Sequence, residues 1–319
     1  MPDLLLYVKA SVISAGASAI IALAFGIWSR RKQPPIGEHQ DDRLTKIGVI
    51  VSLMIGVFVG YGVQQFRWKW PPANAMERFL EIVLPAVVAI ELLSVCFGNS
   101  KVMVILRTVV AVTCGRILLH DSVYLKSASV DDHSSSWLTT LLPTTVLLTF
   151  VWWAMLRMSQ RRAALSAVTT IVLCLQAGGI AIMLAGYLKG GAAAIPLVSS
   201  LLAIVLISAL ILRANISGAL TSVAVVSLFG LLFIGRYFGA LSSTNAVVIL
   251  LSPLLCWLTE FSRTKHWSAT RVGLIRLGIV STVLLVVLFV ARQEFNRRMK
   301  PLLSATFSSE EEKGRVQCC

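Results

Sequence analysis

Apolar runs follow one another along the chain, near 8–28, 47–63, 80–97, 102–119, 137–156, 163–188, 192–212, 216–234, 244–258 and 272–291, with short polar breaks between them. A run of about 17–25 apolar residues wound as α-helix matches the hydrocarbon core of a bilayer. The pattern therefore predicts an all-α fold, a polytopic transmembrane helix bundle of about ten spans. The ninth run is only 15 residues long and contains Pro253. The alternative is nine spans with 244–258 as a re-entrant stretch, a form tolerated where protein covers the backbone. The first run is expected to stay in the mature protein, because Lys9 is its only early positive charge and Arg30, Arg31 and Lys32 follow it as a stop-transfer cluster.

The longer polar breaks are 29–46, 64–78, 120–136 and 259–271, none of which holds a soluble domain of even about 50 residues. Residues 1–300 read as one transmembrane domain. Residues 301–319, with Ser308, Ser309 and the run Glu310, Glu311, Glu312, read as a disordered polar tail. That tail ends in Cys318 and Cys319, a pair open to lipidation if it lies in the cytoplasm. Trp68, Trp70, Trp137, Trp152, Trp153, Trp257 and Trp267 fall near run ends, as interfacial belts require.

Composition sharpens the picture. The chain is 56% hydrophobic and 14% charged, against a charged share of about a quarter in soluble domains. This excess has no place in a water-soluble core, so the lipid bilayer is the expected partner. A net charge of +14 in a soluble chain would suggest nucleic acid. Here Lys and Arg sit in breaks between apolar runs rather than in one stripe, which fits anchoring at headgroups and excludes a nucleic-acid reading. Cys96, Cys114, Cys174 and Cys256 lie inside apolar runs as small hydrophobes, and no disulfide framework or zinc spacing is visible.

Charge bias also predicts orientation. With ten spans and the N-terminus outside, inner loops hold 13 Lys and Arg and outer loops 6. The basic C-terminal tail runs against this count, and nine spans would place 16 inside and 9 outside. A cell membrane, such as a bacterial inner membrane, is expected because no organelle-targeting segment is evident.

Charged groups at membrane depth cost about 2.5–3.5 kcal/mol each on insertion, so they mark the first places to look for function. Glu81, Glu91, Arg107 and Arg116 lie on a hairpin formed by the third and fourth runs, joined through Gly98, Asn99, Ser100 and Lys101. Glu91 and Arg107 are each about eight residues from the turn and sit at matched depth. Glu81 and Arg116 match almost as well. At about 100° per residue the two pairs cannot both be assumed to face each other, and Pro85 bears on the angle between them. Glu91 reads either as half of an insertion-enabling ion pair or as a proton or cation site, with Arg107 tuning its pKa or binding an anionic group. Lys9 and Arg276, near run ends, are expected to snorkel to the interface.

A second cluster, His120, Asp121, Asp131, Asp132 and His133, occupies the break after the fourth run. Imidazole and carboxylate together suit a divalent metal, although the spacing matches no known signature and an ordinary solvated loop is the simpler reading. Gly56 and Gly60 give a small-xxx-small spacing, and Gly178 and Gly179 lie in the sixth run, consistent with close helix packing, while Gln176 beside them is expected to hydrogen-bond a neighbouring helix, with the lining of a polar cavity as the alternative. No Walker loop, HExxH or GxSxG occurs. The leading expectation is a transporter or permease for a small solute or ion. The alternatives are a membrane-surface enzyme using the His120–His133 loop, and a non-catalytic assembly subunit that meets a membrane-protein partner or a second copy of itself.

Overall fold

The structure, a computed structural model, describes residues 4–32, 42–66, 68–98, 101–122, 135–160, 164–212, 217–260 and 268–316. Among these residues all regular structure is helical. Ten helices follow in order: α1 Leu4–Lys32, α2 Asp42–Val63, α3 Ala75–Phe97, α4 Lys101–Leu119, α5 Ser135–Ser159, α6 Ala164–Leu184, α7 Leu188–Leu210, α8 Ser217–Phe238, α9 Ser243–Glu260 and α10 Ala269–Val316. Each contains a stretch long and apolar enough to cross a membrane. The chain is a multi-pass integral membrane protein whose outer helix faces meet lipid.

Local sequence explains where the helices begin, bend and end. Asn74 caps α3 by accepting from the Glu77 backbone N–H at 2.9 Å, while the Glu77 carboxylate accepts from Ala73 N–H at 2.8 Å. That reciprocal arrangement satisfies donors a helix start would otherwise leave bare. Within α3 the residues Phe79–Val83 form a π turn. Pro85 has no N–H, and its ring clashes with the carbonyl four residues earlier, that of Glu81, so widening the turn relieves the conflict. Between α6 and α7, Gly186 takes φ +89°, with Gly186 N–H bonded to Met183 O and Tyr187 N–H to Ile182 O. This left-handed C-terminal turn lets two spans reverse within three residues.

The ninth span owes its length to winding. Ser243–Leu251 is α-helix and Ser252–Glu260 is 3-10 helix, nine residues each. At about 1.5 and 2.0 Å per residue the segment reaches about 31 Å, where an unbroken α-helix would reach about 27 Å. Pro253 weakens the α ladder here, and the Ser252 and Thr259 hydroxyls donate at 2.8 Å to carbonyls three residues back, those of Ile249 and Cys256. The ninth run thus has the length of a full span, and the re-entrant alternative is not needed. The last helix continues past Pro301 to Val316, over residues expected from composition to be disordered. Leu302, Leu303, Ala305 and Glu310–Lys313 are strong helix formers and favour the continuation.

The centre of the bundle is α8, in which every residue from Leu220 to Gly235 is buried. A helix apolar all round belongs in such a position. Gly230 leaves no room for a Cβ beside the Phe79 ring, which is how α3 approaches it. On the flank, α1, α2 and α7 meet at Gly56 and Gly60, where Ser14 Oγ donates to Gly56 O at 2.8 Å and lies 2.6 Å from Ser200 Oγ. Close backbone approach through small residues is the expected glue where water supplies no driving force. Gln176 is exposed on the outer face of α6 rather than turned into the bundle.

Successive helices alternate in direction, so the ends of α1, α3, α5, α7 and α9 share one face with the starts of α2, α4, α6, α8 and α10. Among the described residues Arg43, Lys46, Lys101, Arg157 and Arg271 lie at this face, which is basic.

Candidate functional site

The third and fourth spans bring Glu91 and Arg107 together as the matched depths require. Arg107 Nε donates to Glu91 Oε1 at 2.9 Å and Nη2 to Oε2 at 3.0 Å, a two-pronged contact. The Glu91 side chain is 1% exposed and that of Arg107 13%. Ser94 Oγ also donates to the carboxylate, at 3.3 Å. Both carboxylate oxygens are therefore occupied, which is the condition for keeping such a charge out of water. Each partner lies six residues from its helix end, about 9 Å in from the basic face.

The pair forms one wall of a cavity of about 580 Å³ that is open at the basic face. Arg43 and Lys46 reach it from the first two turns of α2, Arg157 from the last turn of α5, and Gly218 and Ala219 close it from α8. Among the described residues four cationic side chains thus surround one carboxylate, and that carboxylate is already bonded to a guanidinium. The space is electropositive, and its low-dielectric walls focus the field. Arg157 lies over the Trp153 ring at 4.2 Å from its centre, which fixes the guanidinium at the mouth. Sequence reasoning assigned these three loop-proximal cations to topology alone. Their convergence depends on which helices become neighbours, information no single run carries.

The other expected charges fall elsewhere. Glu81 is half-buried on the π turn of α3, Arg116 is exposed on α4, and among the described residues no ion pair joins them. Arg276 does not snorkel. It is fully buried, its Nη2 donating to Glu260 Oε1 at 2.5 Å, Nε to Thr259 Oγ1 at 2.8 Å and Nη1 to Ser166 Oγ at 3.0 Å. This corrects the expectation, and its cause is the 3-10 winding of α9, which carries Glu260 into range. The contact continues inward as a ladder, with Thr170 facing Cys256 and Cys174 facing Ser252.

On the opposite face His120 Nδ1 lies 3.2 Å from Asp121 Oδ2, and Arg78 donates to His120 O and sits 3.8 Å from Asp121. Asp131, Asp132 and His133, the rest of the expected divalent-metal set, lie outside the described residues, as do Cys318 and Cys319. Among the described residues no three His, Cys, Asp or Glu side chains converge. Burial and then the Glu77 carboxylate hold the Tyr187 phenol above its ordinary pKa.

The chain matches no protein-family model and no curated protein.

Proposed function

We propose that this protein is a permease-like membrane protein whose substrate carries negative charge and enters the basic cavity from the inner side of a cell membrane. The supporting observation is the cavity's composition, Arg43, Lys46, Arg107 and Arg157 around a Glu91 that is already paired. An anion entering here meets excess positive charge at a depth where opposite charges attract far more strongly than in water. The Glu91–Arg107 pair keeps the site from neutralising itself, because Glu91 draws one guanidinium inward and leaves the remaining cations to a ligand. This face is taken as the inner one from its loop charge, 13 Lys and Arg against 6 in the loops of the other face, with the six of the C-terminal segment on the opposite side, and residues 1–300 act as a single membrane domain.

Ligand-dependent thermal unfolding of the purified protein, followed by flux measurements in liposomes, tests the reading. Phosphate or sulfate should raise the melting temperature saturably in the wild type and fail to do so in Arg43→Gln/Arg157→Gln, since a ligand that binds only the folded state stabilises it. Stabilisation or flux by monovalent cations alone, abolished by Glu91→Gln, would return the site to the proton or cation reading.

A further inference from the structure

The basic cavity does not end at Arg107. An apolar recess of about 560 Å³ runs between α4 and α5, and Val104, Arg107, Trp153 and Leu156 line both spaces. Val112, Val146 and Phe150 wall the recess and face outward, so it opens sideways to lipid. From Val104 to Val112 it follows α4 for about 12 Å, close to one leaflet of a hydrocarbon core about 30 Å thick. One continuous wall therefore leads from four cations to a groove of leaflet depth.

We propose that the ligand of this site is an anionic membrane lipid, with its phosphate headgroup in the basic cavity and an acyl chain in the recess between α4 and α5. The proposal rests on the anion-site reading above and names its substrate class. Any lipid chain can occupy a lateral furrow; the continuity of this one with a cluster of cations is what sets it apart. Arg43, Lys46 and Arg157 stand where a phosphate would sit, and Arg107, held by Glu91 about 9 Å in from the end of α4, forms the inner wall where the two spaces join. A zwitterionic headgroup would bring its own cation toward Arg43, Lys46 and Arg157, and the one carboxylate among the described lining residues that could receive it is held by Arg107. Trp153 stands at the junction, its ring against the apolar recess and its face under Arg157, a side chain suited to the boundary between headgroup and chain.

The test uses full-length protein in phosphatidylcholine nanodiscs containing about one-tenth phosphatidic acid. Retained lipid is identified by native mass spectrometry, and inorganic phosphate binding is measured in parallel by equilibrium dialysis. Phosphatidic acid should be retained about fivefold above its share. Thr149→Trp or, on the outward wall, Val112→Trp should fill the recess and reduce that enrichment about fivefold while phosphate affinity stays within about twofold. Lys46→Gln/Arg157→Gln should weaken both. A measurement on the wild type stands beside these variants: dihexanoyl phosphatidic acid, with the same headgroup, should compete at least tenfold less well than the dioleoyl form, because burial of each methylene adds affinity. Equal competition by the two chain lengths, or phosphate binding without lipid enrichment, overturns the lipid assignment and leaves the anion site standing. Loss of both phosphate and phosphatidic acid binding in the wild type removes the two together.

Discussion

Two Arg–Glu pairs are buried near the basic face, and in both the partners stand 16 positions apart on successive helices. Their surroundings differ. Arg276 spends its remaining donors on the Thr259 and Ser166 hydroxyls and lies in the seam between α6, α9 and α10. Arg107 spends two donors on Glu91 and stands beside three further cations at the wall of a cavity. The first arrangement closes on itself; the second carries charge beyond what its carboxylate balances. Ion-pair chemistry alone therefore does not distinguish a structural contact from a binding site, whereas the balance of charge around it does.

The contrast is most exposed to Arg276→Ala, which leaves Glu260 without its guanidinium and should destabilise the protein by about 3–5 kcal/mol. Arg276→Met/Glu260→Met should recover most of that loss, since similar-sized apolar groups replace a buried pair at little cost. Thermal unfolding in nanodiscs reads both, and an Arg276→Ala protein as stable as the wild type would erase the structural half of the comparison. Next in size, Glu91→Gln should remain folded and bind phosphate between about twofold and tenfold more tightly, because one negative charge leaves the cavity. Weaker phosphate binding in that variant would mean that Glu91 does more than hold Arg107. Arg157→Gln should lower phosphate affinity about fivefold and shift stability by no more than about 1 kcal/mol, the scale of its stacking on Trp153. Isothermal titration and unfolding measure the two effects separately. The smallest change is expected from Arg116→Gln, exposed and outside the cavity, within about 0.5 kcal/mol of wild type and with unaltered phosphate affinity.

Much of the fold was legible in sequence because a bilayer fixes the length of an apolar run before tertiary structure matters. The Glu91–Arg107 contact was legible for a related reason: a short turn between two antiparallel helices converts equal residue counts into equal depths. Glu260–Arg276 was not, since the apolar run ends at Leu258 and leaves Glu260 in a polar break. Arg43, Lys46 and Arg157 were visible only as loop charge, because their meeting depends on α2, α3, α4, α5 and α8 becoming neighbours, and run-by-run hydropathy does not report adjacency. The exposure of Gln176 was missed on the same ground.

The mixed winding of α9 makes it a ruler. Were its second half to rewind as α-helix, the span would shorten by about 4.5 Å, close to the difference between membranes about 27 Å and about 32 Å thick. Because Arg276 grips Thr259 and Glu260 at the end of the 3-10 stretch, that rewinding is resisted. A ninth span so pinned keeps its length of about 31 Å, so in a thinner membrane it should tilt or thicken the lipid around it instead of rewinding.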